Sequence, residues 1–242
     1  MPPISLQINL AASDFRLSRY LLEHQIRLFA DIVDEIVISV DIKKGSGRFA
    51  QEFDTNFRAL NALLESFSGQ FSNLRIVPID YSNQAQQEVR AFFRQSRVVP
   101  ERDFRGGPCY VYLHGLWSCR NDLVLHIDAD IFFGGNVGSW LDRALRELAL
   151  PSVFSVGPLP GPPTTSGHLR QAILDHACID QNVIDGRYTY DGFSTRLFLL
   201  DRRAIAGIQL QAWPSVGNVM RALTKGLVPQ ELPEVVITRY MK

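Results

Sequence analysis

Apolar and polar residues follow a regular order along the first third of the chain. The segment Ile4–Leu10 alternates as a strand does, and Leu17–Ile32 repeats apolar residues at helical spacing. A β-branched strand at Ile36–Val40, a helix over about residues 51–67 and a strand at Leu74–Ile79 repeat the same unit. This βαβαβ order predicts an α/β fold, in which a mostly parallel sheet carries helices on both faces.

The rest of the chain continues this alternation with more interruptions. Gly106-Gly107-Pro108 predicts the start of a helix running to about Cys119, because proline suits the first helical turn. That helix leads into an apolar strand at Leu123–Phe133. Gly157–Gly167 is rich in Pro and Gly, which predicts a mobile loop. Further predicted elements are a helix at Trp140–Leu148, a strand at Ser152–Val156, a strand pair within Tyr188–Leu200 and a helix at Val216–Leu223.

Composition narrows the class of protein. A chain of 242 residues, 46% of them hydrophobic, suits one globular domain with a sizeable core. The 25 Lys and Arg balance the 25 Asp and Glu, which argues against nucleic acid as a partner. Three cysteines without metal-site spacing are expected to be reduced thiols. The hydropathy pattern shows no leader segment and no transmembrane segment, so we expect a cytoplasmic protein. The sequence leaves the oligomeric state open.

The most informative polar residues, Asp128 and Asp130, end the apolar strand. At positions i and i+2 of an extended chain both carboxylates face the same way, and Ala129 leaves room between them. Mg²⁺ or Mn²⁺ binds such oxygen pairs and completes its coordination with water and substrate phosphates. About one Asp-x-Asp is expected by chance, so the weight of the motif comes from its position at a strand's carboxyl end. A strand cap without a ligand is the alternative.

Three segments together resemble the nucleotide-diphospho-sugar glycosyltransferases of the GT-A fold. They are the first strand and helix, the strand ending in Asp41, and the later strand ending in Asp128-Ala-Asp130. The resemblance covers roughly Ile4 to Asn136 in order. It implies a single, Rossmann-like GT-A domain, in which residues 1–136 bind the nucleotide sugar and residues 137–242 face an acceptor that the sequence does not identify.

The resemblance also implies residue roles. In that family the Asp-x-Asp pair holds Mn²⁺ or Mg²⁺ against the donor diphosphate, which corresponds to Asp128 and Asp130 here. An acidic residue after the second strand contacts the nucleoside, which corresponds to Asp41. This chain continues as Asp41-Ile-Lys-Lys, where the family often has Asp-Asp-x-Ser. Its last histidine is His176, so no residue is assigned to the late His ligand that several branches use.

Sugar transfer further requires positive charge near the leaving diphosphate and, if the reaction inverts, a base. Arg105, directly before the helix predicted at Gly106, is the phosphate-binding candidate, and a solvated surface is the alternative for it and for Arg94, Arg97 and Arg102. Asp191, within Tyr190-Asp-Gly-Phe193, is the candidate base. An Asp-Gly turn is the alternative there. Other possible bases are Asp180, Asp185 and Glu231.

Two other functions stay open. Asp128 could be the nucleophile of a phosphohydrolase or phosphotransferase, although that class normally carries Asp-x-Asp on its first strand. The domain could also bind a nucleotide without catalysis, because fold does not fix function. Nucleotidylyltransferases share the architecture, but Ala11–Arg16 lacks their Gly-rich basic loop. His126 is expected to be a polar neighbour of Asp128, and His114 is expected to pack or cap.

Overall fold

The computed structural model describes residues 2–45, 50–158, 178–180, 188–190 and 192–241. Its strands are β1 (Ile4–Ala11), β2 (Glu35–Asp41), β3 (Leu74–Pro78), β4 (Leu123–Asp128), β5 (Cys178–Asp180), β6 (Thr189–Tyr190) and β7 (Leu197–Asp201). Its α-helices are α1 (Phe15–Phe29), α2 (Phe53–Ser66), α3 (Asn83–Phe92), α4 (Tyr110–Ser118), α5 (Val137–Leu148), α6 (Val216–Thr224) and α7 (Pro233–Met241).

Five strands form the main sheet in the order β3-β2-β1-β4-β7. The first four run parallel, and β7 pairs antiparallel with β4 at the edge. In the centre, Ile8 of β1 is in register with Ile38 of β2 and Ile127 of β4. The mostly parallel α/β sheet predicted from the sequence is therefore confirmed. None of the described helices combines the length and the apolar character needed to cross a bilayer.

Helices cover both faces of the sheet, also as predicted. On one face, Leu6 and Ile8 pack in a core with residues of α1, α2 and α5. On the other face, Val37 and Val124 pack in a second core with residues of α3 and α4. Because side chains alternate along a strand, Ile4, Leu6, Ile8 and Leu10 of β1 enter the first core, and the polar residues of β1 face α4.

The polar residues of β1 are buried beneath α4 but hydrogen-bonded. Ser5 donates to Glu35 at 2.6 Å, and the Gln7 amide donates to Asn9 at 2.6 Å and to Ser39 at 3.1 Å. Gly115 of α4 lies against the side chains of Gln7 and Ser39. Burial without partners would cost about 1–3 kcal/mol for each group. The hydrogen bonds avoid that cost for Ser5 and Gln7 and fix a row of polar side chains that leads toward the carboxyl edge of the sheet.

Two predictions about the second half of the chain are wrong. The segment Ser152–Val156 forms no strand, because only Val156 reaches the sheet, where it exchanges two backbone hydrogen bonds with Leu199 of β7. Within its described residues, the segment Tyr188–Leu200 does not pair with itself. Instead β6 pairs with β5 in a separate two-stranded sheet, and β7 joins the main sheet. Of the predicted loop Gly157–Gly167, residues 159–167 lie outside the described residues.

Two helices differ from the prediction. The helix predicted from Gly106 begins only at Tyr110, because Asp103 accepts hydrogen bonds from the amides of Arg105 and Gly107 and holds this segment in a turn. Helix α3 is unpredicted: its Gln-rich sequence buries only two residues, and Ser82 caps it by accepting from the amide of Ala85. The first helix, α1, and the second, α2, agree with prediction within three residues at each end.

Candidate functional site

A cleft of about 1140 Å³ opens at the carboxyl edge of the parallel strands. Strand ends meet there, because Asn9 of β1 is in register with Asp128 of β4 and Ala11 is in register with Asp41 of β2. Ligands of open α/β sheets bind at this edge. The cleft brings together four residues that the sequence singled out: Asp41, Arg105, Asp128 and Asp130.

Buried side chains hold Asp128 from the sheet side. The fully buried ring of His126 lies between Gln7 and Asp128, with Nε2 at 3.2 Å from the carboxylate Oδ1 of Asp128. Its Nδ1 contacts Oε1 of Gln7, whose amide nitrogen is in turn fixed by Asn9 and Ser39. His126 is thus the polar neighbour that was expected. The contacts set the direction in which the Asp128 carboxylate enters the cleft.

On the cleft side, one guanidinium spans both carboxylates of the motif. Arg196, just before β7, places Nη2 at 2.5 Å from Oδ1 of Asp130 and Nε at 3.6 Å from Oδ2 of Asp128. Partial burial lowers the pKa of Arg196, but the hydrogen bond to Asp130 and the charges of both carboxylates outweigh it and leave that pKa raised. Arg196 carries no signal in the sequence pattern, because its place at the cleft depends on the antiparallel direction of β7.

A further acidic residue, Asp14, lines the same end of the cleft. Its carboxylate accepts hydrogen bonds from the amide of Ala11 at 2.8 Å and from the hydroxyl of Ser13 at 3.2 Å. Burial raises the pKa of Asp14 to about 6, and the nearby charges of Asp128 and Asp130 add to that rise. Asp14 lies three residues beyond the end of β1, and this position near the carboxyl end of a parallel strand is the sequence signal that could have identified it.

Asp41 is buried at the end of β2 with its carboxylate fully engaged. Oδ1 accepts from the Tyr81 hydroxyl at 2.6 Å and from the amide of Lys43 at 3.0 Å, and Oδ2 accepts from Arg102 at 2.7 Å. Burial, together with the charge of Asp41, raises the pKa of Tyr81. The arrangement presents Arg102 and Lys43, as well as the carboxylate, to the cleft.

Arg105 reaches the cleft from the turn that Asp103 organises. Its guanidinium lies 3.8 Å from Asp103 and 3.7 Å from Glu234 of α7, and about half of the side chain is exposed. Arg94 and Arg97 are exposed and do not line the cleft. Of the four arginines considered, the structure therefore places Arg102 and Arg105 at the site.

Opposite charges balance in the described lining of the cleft. Six carboxylates face it, from Asp14, Asp41, Asp103, Asp128, Asp130 and Glu234. Six cationic side chains face it as well, from Lys43, Arg102, Arg105, Arg196, Arg221 and Lys225. A bound diphosphate would therefore add negative charge that the formal charge of this lining does not offset.

An unpartnered donor lies among these groups. Nδ2 of Asn9 is buried, and nothing in the described part of the chain accepts a hydrogen bond from it. Asn9 is one of the residues that line the cleft, and it is in register with Asp128. Because buried polar groups are rarely left without a partner, an amide in this position fits a ligand that supplies an oxygen acceptor.

Asp128 and Asp130 fit Mg²⁺ or Mn²⁺ by donor chemistry, since both ions prefer oxygen ligands and Mg²⁺ needs only one or two protein carboxylates. Within the described ranges, no three His, Cys, Asp or Glu side chains are grouped to hold a metal ion. A divalent ion here would complete its coordination with water and ligand oxygens.

The structure leaves the candidate base open. Asp191 and Asp185 lie outside the described residues, as does the side chain of Asp180. Glu231 is buried away from the cleft lining and pairs with Arg239 at 3.2 Å. The described carboxylate that follows the Asp-x-Asp strand in sequence and lines the cleft is Glu234, which also accepts from Thr195 at 3.3 Å. Sequence reasoning did not consider Glu234.

Comparison with protein-family profiles gives no match, and neither does a sequence comparison with curated proteins. Solved structures similar to this chain include the galactosyltransferase LgtC in complex with donor and acceptor sugar analogues, with a TM-score of 0.46, 12% identity and coverage of 99% of this chain and 70% of that one. The 4-diphosphocytidyl-2C-methyl-D-erythritol synthase from Anaerococcus prevotii has a TM-score of 0.40 and 12% identity, with coverage of 96% of this chain and 91% of that one. Mouse xyloside xylosyltransferase 1, in its apo form, has a TM-score of 0.39 and 12% identity, with coverage of 84% of this chain and 69% of that one. At these scores no residue role passes from them to this chain.

Proposed function

We propose that this chain is a glycosyltransferase that moves a sugar from a nucleotide-diphosphate donor to an acceptor, with Mn²⁺ or Mg²⁺ bound at Asp128 and Asp130. The observation that carries the proposal is the carboxylate pair at the end of β4, inside a cleft that also contains Asp41 and several cationic side chains. The unpartnered amide of Asn9 beside this pair supports an oxygen-rich ligand.

Charge supports the metal ion in this proposal. The formal charges of the described lining already cancel, so a diphosphate needs a further cation to offset its own charge. When bound, a divalent ion supplies a Lewis acid that stabilises the charge on the departing diphosphate.

The chain's own residues bind and orient the donor. His126 holds the carboxylate of Asp128 in place from the buried side. Arg105 is half exposed, so its guanidinium can turn toward a donor phosphate and bind it in a bidentate way. Asp41 and Arg102 form a rigid polar pair at the end of β2, which suits contact with the nucleoside.

Nucleotide binding with and without metal tests this function. We expect one nucleotide sugar, from a panel tested with Mn²⁺, to raise the unfolding temperature, since a ligand at a hundredfold its Kd stabilises by about 2.7 kcal/mol. Asp130→Asn should reduce this shift strongly, because it removes one of the two metal-binding carboxylates. Asp142→Asn, an exposed change of the same kind on α5, is the control and should leave it intact.

Product analysis then separates the alternatives. A glycoside supports the proposal, free phosphate from a phosphate ester supports a phosphohydrolase that uses Asp128, and binding without turnover supports a non-catalytic domain. Undiminished sugar transfer in EDTA would contradict the metal-dependent mechanism while leaving the transferase function in place.

A further inference from the structure

Arg196 combines a fixed backbone with a side chain that is free to move. Its carbonyl oxygen accepts a hydrogen bond from the amide of Asp128 at 2.8 Å, so its main chain is held beside the motif. The side chain is 55% exposed, although its guanidinium contacts both Asp128 and Asp130. An exposed ion pair of this kind contributes little stability, so breaking it costs little.

The guanidinium and a divalent ion compete for the same oxygen atoms. Nη2 of Arg196 lies 2.5 Å from Oδ1 of Asp130. The guanidinium therefore occupies the space in which a metal ion bound to that oxygen would lie. A divalent ion binds carboxylate oxygens at about 2.0–2.6 Å, which would bring it within a few ångströms of a guanidinium in this position. Two cations at that separation repel, so they exchange rather than share the carboxylates.

We infer that Arg196 is the internal counter-ion of the Asp128–Asp130 pair, that a divalent ion displaces it, and that the released guanidinium then binds the donor diphosphate. The inference rests on the proposed function for the identity of the diphosphate ligand. The anchored main chain keeps the released side chain beside the metal-bound phosphates. Arg is suited to this second position, because its planar fork binds phosphate oxygens in a bidentate way.

This exchange predicts two effects of opposite sign for Arg196→Gln. Mn²⁺ alone should bind roughly tenfold more tightly, because a competing and repelling charge is gone. Pyrophosphate, tested in the presence of saturating Mn²⁺, should bind roughly tenfold more weakly, because its arginine partner is gone. If Arg196 had only a structural role, Arg196→Gln would weaken the binding of both Mn²⁺ and pyrophosphate.

The control is Arg203→Gln, which removes an arginine of similar exposure from an ion pair outside the cleft. Arg203 binds Asp201, at the other end of β7, at 2.6 Å and is 66% exposed. Arg203→Gln changes the net charge by the same amount as Arg196→Gln. Because this change lies outside the cleft, the affinities for Mn²⁺ and pyrophosphate should stay within about twofold of those of the parent protein.

Calorimetric titrations of the purified chain and its variants measure both affinities directly, first with Mn²⁺ alone and then with pyrophosphate. Arg196→Lys keeps the charge and serves if the Gln variant fails to fold: it should bind Mn²⁺ like the parent but pyrophosphate more weakly.

Unchanged or weaker Mn²⁺ binding by Arg196→Gln would overturn the inference, as would an absence of Mn²⁺ binding by both proteins. Failure of the proposed function is distinguishable, since it would show as no nucleotide-sugar turnover even though Mn²⁺ and Arg196 exchange as described.

Discussion

Single residues of the site are held from more than one side. Asp128 contacts His126 on the buried side and Arg196 on the open side, and Asp41 is held by three donors. Side chains fixed in this way need little reorganisation when a ligand binds, which is what a binding or catalytic site requires. Arg196 is the exception, because its main chain is fixed and its side chain is exposed.

The base is the first residue-scale prediction. If the proposed glycosyltransferase inverts, we expect Asp191→Asn to lower turnover by roughly 10² to 10⁴ with little change in donor affinity, because it removes the proton acceptor and keeps the shape. Glu234→Gln is the matched variant, since Glu234 lines the cleft but pairs with Arg105. It should cost less than tenfold. Steady-state kinetics with product stereochemistry measures both.

The opposite ranking would assign the base to Glu234. Near-normal turnover of both variants, or a product that retains the donor's anomeric configuration, would remove the need for a base at either position and leave Asp191 as a turn residue.

His114 gives a prediction about pH. Burial lowers the pKa of His114 to about 4, and the charge of Asp80 offsets only part of this shift. The unfolded chain has the ordinary value of about 6.5, so on acidification the unfolded state takes up the proton first. The contribution of neutral His114 to stability is therefore complete above pH of about 6.5 and is lost as pH falls toward 4. Its size is on the order of 3 kcal/mol.

Urea unfolding at several pH values tests this. His114→Gln retains an acceptor for the amide of Asp80, which now donates to Nε2 of the ring at 3.2 Å, but it does not titrate. Its free energy of unfolding should fall less than that of the parent chain between pH 6.5 and 4. Parallel curves for His114→Gln and the parent would contradict the prediction.

At the scale of elements, the approach of α4 to the sheet positions the polar row that ends at Asp128. A Cβ on Gly115 would lie 2.5 Å from Nε2 of Gln7 and 2.9 Å from Oγ of Ser39. Gln7 cannot yield easily, because it is fully buried and its amide is hydrogen-bonded to Asn9, Ser39 and His126. The glycine therefore allows a helix to lie directly on buried polar side chains.

Gly115→Ala tests this contact. We expect the free energy of unfolding to fall by about 1–3 kcal/mol from overpacking, in spite of the gain of up to about 1 kcal/mol in helix propensity. Gly138→Ala in α5 is the matched control, since its nearest neighbour would be 3.8 Å away, and it should be neutral or slightly stabilising. Chemical unfolding of the three proteins measures the difference. Equal stability of the two variants would mean that α4 can move away from the sheet at no cost.

Elements with a strong apolar pattern could be predicted, and those held by side-chain hydrogen bonds could not. The alternation in β1 and the helical face of α1 identified both elements. The turn at Gly106 depends on Asp103, and α3 depends on the Ser82 cap and a small buried face. Periodicity contains no information about such local hydrogen bonds, so these boundaries were wrong or missed.

The whole molecule assembles its site from strand direction. Parallel strands β1, β2 and β4 end at one edge, which is why Asp41, Asp128 and Asp14 could in principle be placed together from the sequence. Arg196 reaches that edge only because β7 is antiparallel, so that its beginning lies where the other strands end. The direction of a short apolar strand cannot be read from its own residues, and the cationic partner of the motif was missed for that reason.

Hydrogen exchange tests this edge as the place of ligand binding. With Mn²⁺ and a nucleoside diphosphate, we expect slower exchange in the loops of the carboxyl edge, at residues 11–14, 128–131 and 195–196, because the ligand lies against them. The loops at the opposite edge, residues 30–34 and 119–122, do not line the cleft, so their exchange should not change through local contact with the ligand. Core amides that exchange only through global unfolding will slow wherever they lie in the fold, since any ligand of the native state stabilises that state. Comparison of the two sets of loops separates the local effect from the global one, and equal protection at both edges would contradict a site confined to the ends of the parallel strands.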